Sequence, residues 1–455
     1  MNSHLLNQKG IFTFLATLAA FSMTLNAADT RYKDRLFDVE MTKDVVYATD
    51  VPHLSSLHSL SQMILSAGEE IFFYNSESEV TNKPLTMNIY SPKGDSETKR
   101  AAVLVSHGGA MVAGSKEDTD QQTVAYCDSL AARGFVAAAI GYRLGVTVSG
   151  TGFKYSIDSV DFARTVYRGV QDISAAVRYM RKNASQLGID PNKIYLVGNS
   201  AGAIISLENI YTSNETEFPR YINKQGAPDL GKIDLYGEQG VDSHANGGAF
   251  LWGGIHSPSI IGNNNTPVLL IHGTDDNTVL FKTGRPLGNA SSMINYMVPE
   301  EYAQMASLMT FEINTPTLYG SFVIDSVLKA KNIEHETYFV EGQKHEFYDY
   351  DDYDEIVKTK VFDFLYKLAA SESKTTINSQ RTLAHTSRIQ MEHGNRSFSI
   401  SHGTNLKYSV VDIRGRASLS GQVSAGNSVD LSSLKNGVYM LQVQGMKAMR
   451  FNISR

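Results

Sequence analysis

The chain has 455 residues, 42% of them hydrophobic and 19% charged, which is ordinary for a soluble globular protein with room for one large domain and a small one. A formal net charge of −6 gives no electrostatic reason to expect nucleic acid or an anionic lipid surface as partner. Cys127 is the only cysteine, so the fold must be held by its core without disulfides.

In chain order, Lys9 precedes the apolar stretch Ile11 to Leu25, which ends in the small residues Ala27 and Ala28. That order of basic, apolar and small residues is a secretory signal peptide, read as residues 1–28, and the stretch is short of the roughly 20 residues a bilayer span needs. No stable membrane span is expected in the rest of the chain. Apolar strand-like runs and helical patterns then alternate to about Leu368. The strand candidates are Leu85–Tyr90, Val103–Ser106, Phe135–Ile140, Ile194–Val197, Phe250–Gly253, Val268–His272 and Thr337–Val340. Several are short unbroken apolar runs, as parallel strands covered on both faces should be. Gln122–Arg133 reads as an amphipathic helix closed by Gly134, with Cys127 as a buried small hydrophobe. A second helix is expected from an Asp172 N-cap to Leu187, stopped by Gly188, with Arg178, Arg181 and Lys182 on a solvated face. The fold class is therefore α/β: a predominantly parallel sheet with helices on both faces, spanning residues 29–370.

Two stretches interrupt this rhythm. Thr212–Asn246 is polar and glycine-rich, and residues 282–320 carry Met293, Tyr296, Met297, Tyr302, Met305 and Met309. Insertions of this length beyond strand ends form lids or pocket walls. The 282–320 segment is read as a lid whose side chains either line an acyl pocket or form the core of a small helical insertion. Asp349–Glu355, rich in acids, reads as the solvated start of a terminal helix with no metal site. Residues 371–395 have the composition of a linker, and 396–455 resolve into short alternating strands, a small β-sandwich.

Three segments carry chemistry. Gly198-Asn199-Ser200-Ala201-Gly202 lies between the strand Lys193–Val197 and a helix-like run from Ala203. A strand-to-helix turn exposes its central serine, and the helix start favours negative charge. Val103–Ser106 runs into His107-Gly108-Gly109-Ala110, a loop whose backbone can approach a substrate oxygen; Gly109, Ala110 and Ala201 are the candidate oxyanion donors, and His107 a brace for the loop. The strand Val268–His272 ends in two carboxylates, Asp275 and Asp276, and the strand before Glu341 leads to His345. The order serine, aspartate, histidine is that of strand-turn-helix hydrolases, with His244, His256 and His272 as rival bases.

These residues resemble an α/β-hydrolase of the carboxylesterase and hormone-sensitive-lipase kind, over nearly all of Leu85–Leu368. The resemblance rests on Leu85–Pro92, His107–Ala110, Gly141–Gly145, Asp190–Ile194 and the serine motif. It implies Ser200 as nucleophile, Asp276 rather than Asp275 as acid, His345 as base, and no metal or other cofactor. Ala110 stands where many members have a third glycine, and Met111, a substrate-pocket candidate, where an aromatic is frequent. About Asn405–Arg455 resembles the C-terminal sorting domain of type IX secretion, through Val410–Arg416 and Val429–Tyr439. The expectation is a secreted or surface-attached serine esterase, exported through the periplasm, with a small-molecule or polymer-linked ester as substrate and the secretion machinery as partner. A serine peptidase of the prolyl-oligopeptidase kind shares the residue order, although the His-Gly-Gly loop favours esterases. A non-catalytic binding protein on the same scaffold is the rival from another class.

Overall fold

The computed structural model describes residues 30–453 except 67–69, 119–121, 152–153, 289–309, 350–352, 372–388, 393–395, 401–404, 413–415, 426 and 445–448. The expected signal peptide, most of the expected lid and most of the expected linker lie outside the described residues. The chain divides into two units, Met1–Glu372 and Ser373–Arg455.

Eight strands form the central sheet of the first unit: β1 (Val39–Leu54), β2 (Val80–Pro92), β3 (Arg100–Ser106), β4 (Val136–Ile140), β5 (Ile189–Asn199), β6 (Gly248–Leu251), β7 (Val268–Gly273) and β8 (Glu336–Val340), in the spatial order β1-β2-β4-β3-β5-β6-β7-β8. β2 runs against both neighbours, and every other pairing is parallel. Helices α1 (Thr123–Ala132) and α5 (Tyr353–Ala370) share one apolar cluster with one face of the sheet. Helices α2 (Ser159–Lys182), α3 (Ala201–Tyr211) and α4 (Ser321–Ala330) share the other. The residues of β4, Val-Ala-Ala-Ala-Ile, are all fully buried, and its short side chains let helices close on it from both sides. Cys127 is buried in α1, where loss of solvation pushes its thiol up and keeps it an inert packing group.

The long strand β1 has no counterpart among the expected strands. It is an edge strand with many exposed positions, so it lacks the apolar run that marks the others. The helix expected from an Asp172 cap is capped fourteen residues earlier, at Asp158, whose side chain accepts the Val160 N–H at 2.8 Å. Asp172 is not a cap. It is buried in mid-helix and paired with Arg143 at 2.7 Å. Residues Ala184–Leu187 form a separate short helix, and Gly188, at φ 63°, closes it.

Of the three residues expected on a solvated face of α2, Lys182 is exposed, but Arg178 is buried and Arg181 is half-buried, and both are engaged. Arg164 donates to the carbonyls of Ile222 (2.5 Å) and Pro228 (2.7 Å), and Tyr167 to Gly231 (2.7 Å). Gln171 donates to Leu230 and Lys232, Arg178 to Tyr236 and Glu238, and Arg181 to Asp242 and His244. This row at helical spacing fastens the 222–244 stretch down the length of α2, with Arg178 only 1% exposed. The connection leaves the C-terminal end of α3 and returns to the start of β6, the end of the sheet opposite Ser200. Thr212–Asn246 is thus a girdle for α2, not a lid.

In the second unit, Ile389–Glu392, Ser397–Ile400 and Ser428–Asp430 form one antiparallel sheet. Ala417–Val423, Leu406–Asp412, Gly437–Val443 and Met449–Ile453 form another. Phe398, Val410, Leu431, Leu441 and Phe451 belong to the single apolar cluster the two sheets share, which makes a small β-sandwich. Ile389–Glu392 lies inside the stretch read as linker, so the β unit begins before residue 396.

Candidate active site

The site lies at the C-terminal ends of β3, β5, β7 and β8. β5 ends at Asn199 and α3 begins at Ala201, so Ser200 alone makes the turn, at φ 51° and ψ −114°. A non-glycine residue holds such a conformation only under constraint. Two bonds supply it: the Ser200 N–H donates to the Leu251 carbonyl at 3.0 Å, and the Ser200 carbonyl accepts from Ile204. The turn also needs Gly202. A β-carbon there would lie 2.2 Å from the Ser106 carbonyl oxygen, which would force α3 off the end of β3.

The structure brings three of the expected residues into one line. His345 Nε2 is 2.9 Å from Ser200 Oγ, and His345 Nδ1 is 2.7 Å from Asp276 Oδ2. Asp275 is exposed and takes no part. The rival histidines are engaged elsewhere: His244 with Asp242 and the Thr212 carbonyl, His256 with Glu208 and the Glu217 carbonyl. His272 contributes to the site in a way its position at a strand end did not reveal. Fully buried, it places Nε2 3.1 Å from Asp276 Oδ2 and 2.9 Å from the Val279 carbonyl, with Nδ1 2.8 Å from Ser321 Oγ. A carbonyl and a carboxylate only accept, so Nε2 carries the proton.

Asp276 therefore accepts four hydrogen bonds: the Thr278 and Val279 N–H groups on Oδ1, His272 and His345 on Oδ2. Burial alone would raise its pKa. The His272 and His345 hydrogen bonds outweigh that and hold the carboxyl well below the usual carboxylate range. For His345, burial favours the neutral ring, but the hydrogen bond and charge of Asp276, with the nearby Glu346 charge, leave its pKa above the ordinary 6.5.

The loop after β3 has three successive residues at positive φ: Gly109 (99°), Ala110 (53°) and Met111 (65°). The Gly109 carbonyl accepts from Val112 and Ala113, both at 2.9 Å. In a trans peptide the following N–H points the opposite way, which leaves the Ala110 N–H on the outside of the turn. A β-carbon on Gly109 would sit 2.2 Å from the Ala113 carbonyl oxygen. Neighbouring loops clamp this turn, with Phe72 N–H on the Val112 carbonyl, Gly145 N–H on the Met111 carbonyl and Tyr142 Oη on the His107 carbonyl. His107 is buried, stacked on Tyr142 at 4.4 Å and within 2.8 Å of the Gly108 carbonyl through Nδ1; burial pushes its pKa down to about 4. Ala201 is the first residue of α3, so its N–H has no partner inside the helix. Met111 is 1% exposed and packs in the apolar cluster.

Residues 87–237 match the protein family described as BD-FAE, and residues 394–451 match the secretion system C-terminal sorting domain. Among curated proteins, Carboxylesterase 3B of Mus musculus is 36% identical over 126 residues, 27% of this chain and 19% of the relative. Acylcarnitine hydrolase of Rattus norvegicus is 36% identical over 119 residues, 26% of this chain and 19% of the relative. The chain thus spans about a fifth of the length of these relatives. The propionate-bound structure of an esterase, Est2, from Thermogutta terrifontis is 21% identical, covering 67% of this chain and 97% of that one, at a TM-score of 0.41. The sheet order and the serine turn are those of an α/β-hydrolase, its sequence is similar to the BD-FAE family over residues 87–237 and to carboxylesterases, and residues 394–451 match a secretion-system sorting domain.

Proposed function

We propose that the chain is an exported serine esterase that hydrolyses carboxylic esters through an acyl-enzyme on Ser200. The observation that carries this reading is the unbroken line from Ser200 Oγ to His345 Nε2 (2.9 Å) and from His345 Nδ1 to Asp276 Oδ2 (2.7 Å), set at the N-terminus of α3. Oγ attacks the acyl carbon as its proton passes to His345 Nε2, and the imidazolium so formed is stabilised by Asp276. The N–H groups of Ala201, Ala110 and Gly109 receive the oxyanion, helped by the positive end of the α3 dipole. Collapse breaks the ester C–O bond, and the departing alcohol oxygen takes the proton from Nε2. A water then gives its proton to His345 and attacks the acyl carbon, which releases the acid and restores the Ser200 hydroxyl.

Export is the part of the reading that the sorting domain supports, and the ester as substrate the part that the carboxylesterase-like sequence supports. Among the described residues no helix is long and apolar enough to cross a membrane. The test compares p-nitrophenyl acetate with a proline-containing peptide anilide, using Ser200→Ala as control and a fluorophosphonate label mapped by peptide mass. Ester cleavage that disappears in Ser200→Ala, with the label on Ser200, is expected. Faster anilide cleavage would replace the esterase with a peptidase, and an unlabelled Ser200 would leave a binding protein.

A further inference from the structure

Ser200 and His345 stand 145 residues apart, on loops that leave different strands, yet the reading above needs their atoms in register. One amide links the two loops. Asn199, the residue before the serine, accepts from Trp252 Nε1 through Oδ1 at 2.5 Å and donates through Nδ2 to Tyr348 Oη at 3.2 Å. An indole N–H can only donate, so it dictates which way the Asn199 amide faces and turns the NH2 toward Tyr348. Tyr348 lies three residues after His345 on the same loop. Trp252 stands between the two: fully buried, its ring is 6.1 Å from the His345 ring at 64°, 5.2 Å from Phe347 and 5.1 Å from Tyr348. It holds φ 43°, a conformation a bulky residue adopts only when its surroundings impose it, and its N–H donates to the Ile271 carbonyl at 2.7 Å. The ends of β5, β6 and β7 and the loop after β8 thus converge on one side-chain bridge.

We propose that Asn199 is a positioning residue which, through Trp252 and Tyr348, holds the His345 loop in register with Ser200. This rests on the esterase reading. An alanine at 199 keeps the serine turn but leaves the Trp252 indole N–H buried without an acceptor and takes away the hydrogen bond that ties Tyr348 to the residue before the serine. Small displacements of a reacting group cost rate far more than they cost binding.

The experiment uses the full chain with Asn199→Ala and the milder Tyr348→Phe, which removes one hydroxyl and keeps the ring. Rates on p-nitrophenyl acetate are divided by sites counted with a fluorophosphonate. Asn199→Ala is expected to lower kcat about 30-fold with KM within about three-fold, and Tyr348→Phe to lower kcat about three-fold. Trp252 is the only tryptophan in the chain, and a protonated imidazole quenches indole emission. Emission should therefore titrate with His345, whose charged neighbours are Asp276 and Glu346, and the midpoint or amplitude should change in both variants. A kcat per labelled site within two-fold of wild type, with unchanged emission titration and only a lower melting temperature, overturns the proposal and leaves Asn199 as packing. A wild type that cleaves no ester and takes no label defeats the esterase reading instead. The emission titration still decides the bridge in that case, since an unaltered midpoint and amplitude in Asn199→Ala refute it.

Discussion

Replacing Asp276 with asparagine should cost about 10³- to 10⁴-fold in kcat/KM, and the structure says why. The two oxygens of Asp276 face different partners. Oδ1 takes the Thr278 and Val279 N–H groups at 2.8 and 3.0 Å, and backbone donors in a turn cannot change sides. An amide at this position must therefore present its oxygen to them and its NH2 to His345 and His272. The NH2 then donates to His345 Nδ1, which confines the ring proton to Nε2. The ring can no longer accept the proton of Ser200 Oγ. The loss corresponds to about 4–5.5 kcal/mol of transition-state stabilisation at roughly 1.4 kcal/mol per factor of ten. Steady-state kinetics on p-nitrophenyl acetate at pH 7.5, with the fluorophosphonate labelling rate measured in parallel, check it. Both rates should fall together while KM moves little. A loss below ten-fold in either would refute the claim that Asp276 sets the tautomer of His345.

Further outcomes follow from the same geometry. Because His345 must be neutral to act as base and its pKa lies above 6.5, kcat/KM should fall as pH drops through a midpoint above that value. His272→Leu should lower kcat/KM about ten-fold and move this acid limb to still higher pH, because a carboxylate with one donor fewer holds the imidazolium more strongly; a pH–rate profile with an unmoved limb would count against it. His107 predicts a stability effect. Its pKa falls from 6.5 to about 4 on folding, so between those values the unfolded chain binds more protons and stability drops as pH falls, by up to about 3 kcal/mol. Raised histidines such as His345 and His256 act with the opposite sign, so the comparison is urea unfolding of wild type against His107→Gln at pH 7.5 and 4.5. A wild-type loss no greater than the variant's would contradict the assignment.

What the sequence made legible follows a physical rule. Ser200 and Asp276 each stand just beyond a covered parallel strand, which announces itself as an unbroken apolar run, while His345 follows the shorter apolar run Tyr338–Val340 at the sheet edge. The positions that escaped do so for identifiable reasons. Strand β1 is half-exposed at an edge, and Ala417–Val423 is exposed along most of its length, so neither shows such a run. The start of α2 shows no clean apolar stripe because Arg164, Arg168 and Gln171 are buried there among apolar side chains: Glu77 accepts from both arginines, and carbonyls of the girdle accept from Arg164 and Gln171. The Asn199–Trp252 contact joins residues 53 apart and depends on a positive φ at Trp252, which no local pattern encodes.

The way α2 is girdled bears on the medium in which an exported protein must work. Exposed ion pairs such as Arg35–Asp128 and Lys367–Glu336 act through charges that dissolved salt screens within about 10 Å or less. Arg164, Arg178 and Arg181 mostly address neutral carbonyl oxygens at contact distance, shielded from mobile ions by the segment they hold. The 222–244 wrap should therefore stay seated in brine that loosens the rest of the charged surface. For a chain with no disulfide to fall back on, that amounts to a fastening indifferent to redox potential, in which salt weakens only the partly exposed pairs Arg178–Asp234 and Lys224–Asp161.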